Sequence, residues 1–168
     1  MRTGSPGHLK TFAYVGLHRY SLTLCTNRRR RLFMKADVVE LVLAQISRAA
    51  TENQFAIVAY CFMRDHVHLL AEGTSDTSDC KRFIARAKQY SGFYYKKEHR
   101  GVLWQRYGFE HVLRDDELTQ VVARYILENP IRAGLTERVE DYPYVGSLVH
   151  PLRELIEWAA AGNDSNKA

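Results

Sequence analysis

Cysteine is scarce in this chain. Only Cys25, Cys61 and Cys80 occur, an odd number, and no two of them form a CxxC pair. That excludes a disulfide framework and a thiolate zinc site. Cys25 and Cys61 fall in apolar, strand-like runs, so they read as small buried hydrophobes. Long apolar runs are also missing. No segment approaches the roughly 18 residues of a membrane span. Residues 1–10 lack the apolar stretch of a signal peptide and read as a loose leader. No internal repeat or low-complexity linker interrupts the chain. The expected setting is reduced, intracellular and cytoplasmic, away from membranes.

What is present suits one compact domain: 168 residues, 46% of them hydrophobic, enough for an independent core. We expect a single domain over 1–168, with its core at about 12–135 and a C-terminal tail at about 141–168. The net charge is +5 and the isoelectric point about 9.2. Such a balance favours a polyanionic partner, because surface Lys and Arg neutralise phosphates and release counterions. It is also common in proteins that bind no nucleic acid.

Periodicity gives an order of elements. Tyr14 to Thr26 mixes Tyr, Val, Leu and Thr as strands do. Val38, Leu41, Val42, Ile46 and Ala49 recur at helical spacing, predicting a helix over 37–52, with Asp37 and Glu40 as a capping pair. The runs 55–62 and 66–72 read as antiparallel strands joined by a turn at Met63-Arg64-Asp65. A second helix is expected over about 79–97, capped by Ser78 or Asp79, burying Phe83, Ala87 and Tyr90 and weakened by Gly92. Residues 109–114 read as another strand. Asp115 or Asp116 would cap a third helix, which must stop near Asn129 because Pro130 cannot continue it. A short amphipathic helix is expected near 152–161. The order β-α-β-β-α-β is ferredoxin-like, an α+β fold with an antiparallel sheet and helices on one face. The third helix and the tail are additions to it.

Two constellations carry chemistry. His66 and His68 are two apart in a strand, so both point to one face while Val67 and Leu69 point to the other. Side by side, two imidazoles can grip one divalent cation. With one or two oxygen donors and open positions, such a site suits Mg²⁺ or Mn²⁺ acting on phosphate, although imidazole also favours zinc-like metals. The alternative is a pair that merely lines a solvated sheet face. On the third helix, Tyr125 and Asn129 are four apart and share a face, so a phenol and an amide oxygen can meet one metal-bound phosphate. A tyrosine nucleophile suits strand transfer: it keeps a 5′-phosphate as phosphotyrosine and frees a 3′-hydroxyl, which makes the step reversible. A phenol ordinarily has a pKa of about 10, so it needs a metal or a base to become competent. Tyr125 could equally be a core aromatic on the stripe Leu118, Val121, Val122, and Asn129 a plain helix terminus. Spacing does not choose among the ten tyrosines.

At these residues the chain resembles a family. The run AYCFMRDHVHLLAEG (59–73) resembles the HUH-type segment of the IS200-like transposases, and LWQRYGFEHVLRDDELTQVVARYILENPIRAGL (103–135) resembles their second signature. SLTLCTNRRRRLF (21–33) is similar to their first strand. The resemblance spans most of 12–148 and is strongest to the REP-associated branch. It implies that His66 and His68 bind the metal with Asn129 as third ligand, and that Tyr125 is the nucleophile. It further implies a Mg²⁺ or Mn²⁺ cofactor, a bacterial, nucleoid-associated setting, single-stranded palindromic or hairpin DNA as substrate, and a monomer or homodimer. One departure stands out: the family's Pro-Asn before the first His is Arg64-Asp65 here. Asp65 is either an orienting partner of an imidazole or a plain turn residue.

Several cations are candidates for DNA contact. Arg28, Arg29, Arg30 and Arg31 repel one another, and a phosphate track is one reason for such a run. Arg64 stands at the mouth of the site. Arg86 and Lys88 belong to a helix where cations interleave with Tyr90, Phe93, Tyr94 and Tyr95, a pattern that suits unpaired bases. His111 and Arg114 precede the tyrosine helix. Two further readings compete: a domesticated hairpin-binding protein that does not cut, and an unrelated HxH metal phosphoesterase.

Overall fold

The computed structural model describes residues 13–107, 109–113 and 119–162. Its centre is a strand, β3 (His66–Gly73), that is covered on both faces. Val67, Leu69 and Ala71 enter one core, and Leu70 enters another. A period of two divides them, and it places His66 and His68 on the Leu70 face. Around β3 lie β1 (Arg19–Cys25), β2 (Phe55–Phe62), β4 (Phe109–Val112) and β5 (Val145–Gly146), in the order β4-β1-β3-β2-β5. Every neighbouring pair is antiparallel. The first four strands keep the ferredoxin-like order expected from the sequence, and β5 extends the β2 edge.

Helices α1 (Ala36–Glu52) and α2 (Cys80–His99) form the layer on the first face. Val42 and Ile46 of α1 and Phe83 and Ala87 of α2 meet Tyr20, Leu22 and Phe62 of the strands there. The opposite face carries α3 (Thr119–Leu127) and α5 (Leu152–Ala161), whose Ala123, Ile126, Leu127 and Leu155 pack on Val58, Ala59, Cys61 and Leu70. Strand β2 serves both cores through a bulge. The register with β3 shifts between Ile57 and Ala59, so Ile57 and Phe62 face α1 while Val58, Ala59 and Cys61 face α3. Cys25 and Cys61 are buried and free, as expected, and so is Cys80; burial pushes the Cys61 thiol up to about 12.

Several local expectations are adjusted. The N-cap of α1 is Lys35 and makes no side-chain cap bond, while Asp37 lies inside the first turn. There its charge favours the helix N-terminus without replacing a missing cap bond. Asp79 does cap α2, accepting from the Arg82 N–H at 3.0 Å. The buried stripe of α2 continues through Ser91 and Tyr95, and Tyr90 is only partly buried. Gly92 does not interrupt the helix. Asp115, Asp116 and Leu118 lie outside the described residues. Helix α3 ends at Leu127, and Pro130 opens a short helix α4 (Asn129–Arg132), where its missing N–H has no partner to lose. The C-terminal stretch is integrated: β5 pairs with β2 at Tyr60 and Cys61, and α5 covers α3.

Since both layers share β2 and β3, damage to either should be felt globally. Ile46→Ala in the first core and Ile126→Ala in the second, 0% and 1% exposed, should each cost about 2–5 kcal/mol. Urea denaturation followed by circular dichroism checks this; a loss below about 1 kcal/mol for Ile126→Ala would mean that α3 is not part of the cooperative unit.

Candidate active site

Strand β3 opens from the turn Met63-Arg64-Asp65, and the turn is tied down from two sides. The Asp65 carbonyl accepts from the Thr26 N–H at 2.9 Å and from the Thr26 hydroxyl at 3.0 Å. The Arg64 carbonyl accepts from the Phe33 N–H at 3.0 Å. Both imidazoles just beyond the turn are anchored through Nδ1. His66 Nδ1 donates to Asp65 Oδ1 at 2.7 Å, a direction set by the carboxylate, which only accepts. His68 Nδ1 lies 2.9 Å from Thr23 Oγ1 on β1. The two Nε2 atoms consequently face each other at 3.1 Å. Burial pushes His68 down to about 4, and the nearby positive charges of His66, Arg132 and Arg29 add to the effect. It is therefore neutral at neutral pH, the form that binds metals.

Arg29 completes this corner. Its Nε lies 2.9 Å from Asp65 Oδ2, and its Nη1 donates to Cys25 Sγ at 2.7 Å. A line of contacts thus runs from Arg29 through Asp65 to His66. Arg28 and Arg29 both adopt left-handed backbone angles, φ 57° and 54°, which are uncommon outside glycine.

The tyrosine helix lies across the same sheet face. Leu70, two residues past His68, packs with Ala123, Ile126 and Leu127. Those residues are the buried stripe of α3, and Tyr125 is not among them: it is 58% exposed. The core-aromatic alternative for Tyr125 is thereby excluded. Of the ten tyrosines, only Tyr107 and Tyr125 are exposed. Tyr95 is buried at 5%, and burial pushes Tyr142 up to about 12. The Arg132 guanidinium lies 3.9 Å from the centre of the Tyr125 ring and donates to the Tyr125 carbonyl. Its positive charge also adds to the lowering of His68.

The donor set fits a divalent cation. Two nitrogens bound at about 2.1 Å and at right angles lie about 3 Å apart, close to the observed Nε2 spacing. Both Nδ1 atoms have the outer partners that metal-bound histidines use. The side-chain nitrogen of Asn129 is buried and unpartnered among the described residues. Buried polar atoms are rarely left so, and turning the amide over would present its oxygen instead. Cys, Asp and Glu form no cluster of three with these histidines among the described residues, and the amide oxygen of Asn129 is a candidate third donor.

The remaining candidates divide. Arg28 and Arg31 are exposed and make no hydrogen bond or ion pair among the described residues. Arg30 Nη2 donates to the Val102 carbonyl at 2.8 Å. Arg64 is exposed beside the turn. Arg86 donates to Gln89 at 2.9 Å. Lys88 Nζ donates to the carbonyls of Gln105 and Arg106, a structural use of a cation. His111 pairs with Ser21 through the backbone, and its side chain, like Arg114, lies outside the described residues. Sequence reasoning passed over Arg132. The available signal was its spacing, seven residues from Tyr125 and three from Asn129, but Arg132 lies in a separate short helix after the break at Glu128, which hides the shared face.

The chain is similar to known proteins along most of its length. It is 26% identical over 147 residues to a Haemophilus influenzae protein described as a REP-associated tyrosine transposase, covering 80% of this chain and 81% of that one. It is 27% identical over 142 residues to the REP-associated tyrosine transposase of Escherichia coli, covering 82% of each. Its fold matches the solved structure of a REP-associated tyrosine transposase bound to a REP hairpin, with a TM-score of 0.69 at 19% identity, over 83% of this chain and 81% of that one. The family model of the IS200-like transposases matches residues 14–129, a span that includes His66, His68, Tyr125 and Asn129. This chain belongs to the IS200-like transposase family.

Proposed function

We propose that the protein cuts and rejoins single-stranded DNA next to a hairpin, through a covalent bond to Tyr125. The observation that supports this reading is that α3, which carries the exposed Tyr125, packs on the sheet face that bears the paired imidazoles. Family membership supports it, and the hairpin substrate is suggested by the solved relative that holds a REP hairpin. Membership also removes the alternative of an unrelated phosphoesterase.

Tyr125 is the nucleophile. Its phenolic oxygen attacks a backbone phosphorus as the phenol loses its proton. The bond from phosphorus to the 3′ oxygen breaks, and that oxygen leaves as a 3′-hydroxyl. A 5′-phosphotyrosine remains and keeps the ester bond energy, so a second 3′-hydroxyl can reverse the step. His66, His68 and Asn129 would hold the divalent cation, Mg²⁺ or Mn²⁺. When bound, that ion neutralises charge on the scissile phosphate. Arg132 keeps the phenol in place by stacking on its ring, which sets a fixed positive charge over the group that must ionise. Asp65 holds His66 with Nε2 free, and Arg29 holds Asp65.

The first test is a denaturing gel. Wild type incubated with hairpin DNA and Mn²⁺ should yield a covalent band, Tyr125→Phe should yield none, and both should bind the DNA equally. A band that persists in Tyr125→Phe would overturn the assignment and turn attention to Tyr107, the other exposed phenol. His66→Ala should lose both cleavage and Mn²⁺ binding. DNA binding without an adduct under any metal would favour the non-cutting hairpin binder.

A second test concerns Asp65. Asp65→Ala should weaken Mn²⁺ binding about 10- to 100-fold, as read by calorimetry without DNA. Asp65→Asn keeps an acceptor oxygen and should recover most of the affinity. Equal loss in both variants would argue for charge rather than orientation. Finally, Arg132→Gln should slow adduct formation by about 10²-fold with hairpin affinity little changed; an unchanged rate sinks its role.

A further inference from the structure

Three polar contacts form one chain across β3 and β1. Asp65 Oδ1 meets His66 Nδ1 at 2.7 Å. The two Nε2 atoms meet at 3.1 Å, and His68 Nδ1 meets Thr23 Oγ1 at 2.9 Å. Each contact has hydrogen-bond length, so one proton lies in each. The carboxylate only accepts, which places the first proton on His66 Nδ1. With both rings neutral, His66 then has a bare Nε2, and the second proton belongs to His68 Nε2. That leaves His68 Nδ1 bare, and the third proton comes from the Thr23 hydroxyl. The direction of the whole chain is set at its Asp65 end.

A cation reverses the far end. Metal-binding imidazoles present bare nitrogens, so both Nε2 atoms must lose their shared proton. It leaves His68 Nε2 for solvent, and His68 Nδ1 takes one from solvent, so the ring stays neutral. Nδ1 now donates, and its partner must accept. A hydroxyl serves in both states by rotating, because it carries a proton and two lone pairs. A carboxylate has no proton to give in the first state. His66 makes no such demand: its Nδ1 donates in both, and the fixed acceptor Asp65 suits it. The unlike partners of the two histidines thus follow from their unlike tasks.

Thr23 is placed for this role and for little else. Antiparallel register sets it opposite His68. Its hydroxyl has no second hydrogen-bond partner among the described residues. The flanking Leu22 and Leu24 belong to the opposite core, so apolar packing, and not the hydroxyl, holds this part of β1.

We propose that Thr23 is a positioning residue of the metal site, whose hydroxyl donates to His68 in the metal-free pair and accepts from it once a cation is held. The inference rests on the cation site of the proposed function and adds a residue of β1 to it. The test uses the full chain without DNA. In calorimetry with Mn²⁺, Thr23→Val should bind about 10- to 100-fold more weakly than wild type. Thr23→Ser keeps the hydroxyl and should recover most of the affinity. Valine suits a strand, so Thr23→Val should keep the wild-type circular dichroism spectrum. Two-bond proton–nitrogen NMR at about pH 8, above the ordinary imidazole range, reads the tautomers, with Zn²⁺ as a diamagnetic probe and His68→Gln to assign the signals. His68 should carry its proton on Nε2 without metal and on Nδ1 with Zn²⁺, while His66 carries it on Nδ1 throughout. A metal-free His68 already protonated on Nδ1 would overturn the switch. A folded Thr23→Val that binds Mn²⁺ as wild type does would overturn the positioning role, even when wild type forms its Tyr125 adduct. A loss in Thr23→Val beside a wild type that binds Mn²⁺ but forms no adduct with hairpin DNA would uphold Thr23 and overturn strand transfer instead. A wild type that binds neither metal would overturn the cation site and the role of Thr23 together.

Discussion

Both imidazoles are gripped by their Nδ1 atoms, and this constraint organises the rest of the site. Asp65 accepts a hydrogen bond from His66 Nδ1, and Thr23 faces His68 from the neighbouring strand. With those ends spoken for, the Nε2 atoms have one direction left and meet at 3.1 Å. The arrangement is unfavourable for two cations, and burial keeps His68 neutral. The sheet makes the pair possible because β1 and β3 are in register at Thr23 and His68. A slip of one residue would turn both rings into the opposite core.

That register is held by the two-sided core. A ferredoxin-like sheet with helices on one face would leave the histidine face to water. Here α3 and α5 cover part of that face, using Leu70 and the small side chains of Ala59 and Cys61 as a floor. Packing against small residues lets α3 come close to the sheet. The same packing turns Ala123, Ile126 and Leu127 inward and leaves Tyr125 outward, under the Arg132 guanidinium.

The arginine run illustrates how one motif serves unlike ends. Arg29 neutralises Asp65, Arg30 binds the 101–106 segment, and Arg28 and Arg31 remain open to a polyanion. The left-handed backbone at Arg28 and Arg29 costs energy, and it accompanies the contacts that Arg29 makes with Asp65 and Cys25. Asp65 itself departs from the family's Pro-Asn pattern, yet the acceptor oxygen survives. An asparagine at this position has a carbonyl that can take the same imidazole proton.

Much of this was legible in the sequence. The alternation of β3, the helical period of 37–52 and the break at Pro130 are local signals, and the elements formed nearly where those signals placed them. The spacing that put His66 beside His68 is equally local, because a strand repeats every two residues. What the chain could not disclose locally depends on contacts distant in sequence. Whether Tyr125 faced the core or solvent was decided by α5 and β2, which bury the other side of α3. Thr23, 45 residues from His68, entered the site only through strand pairing. Arg132 came to Tyr125 because Pro130 opened a new helical turn instead of ending the path. Periodicity says which residues share a face; only packing says what that face meets.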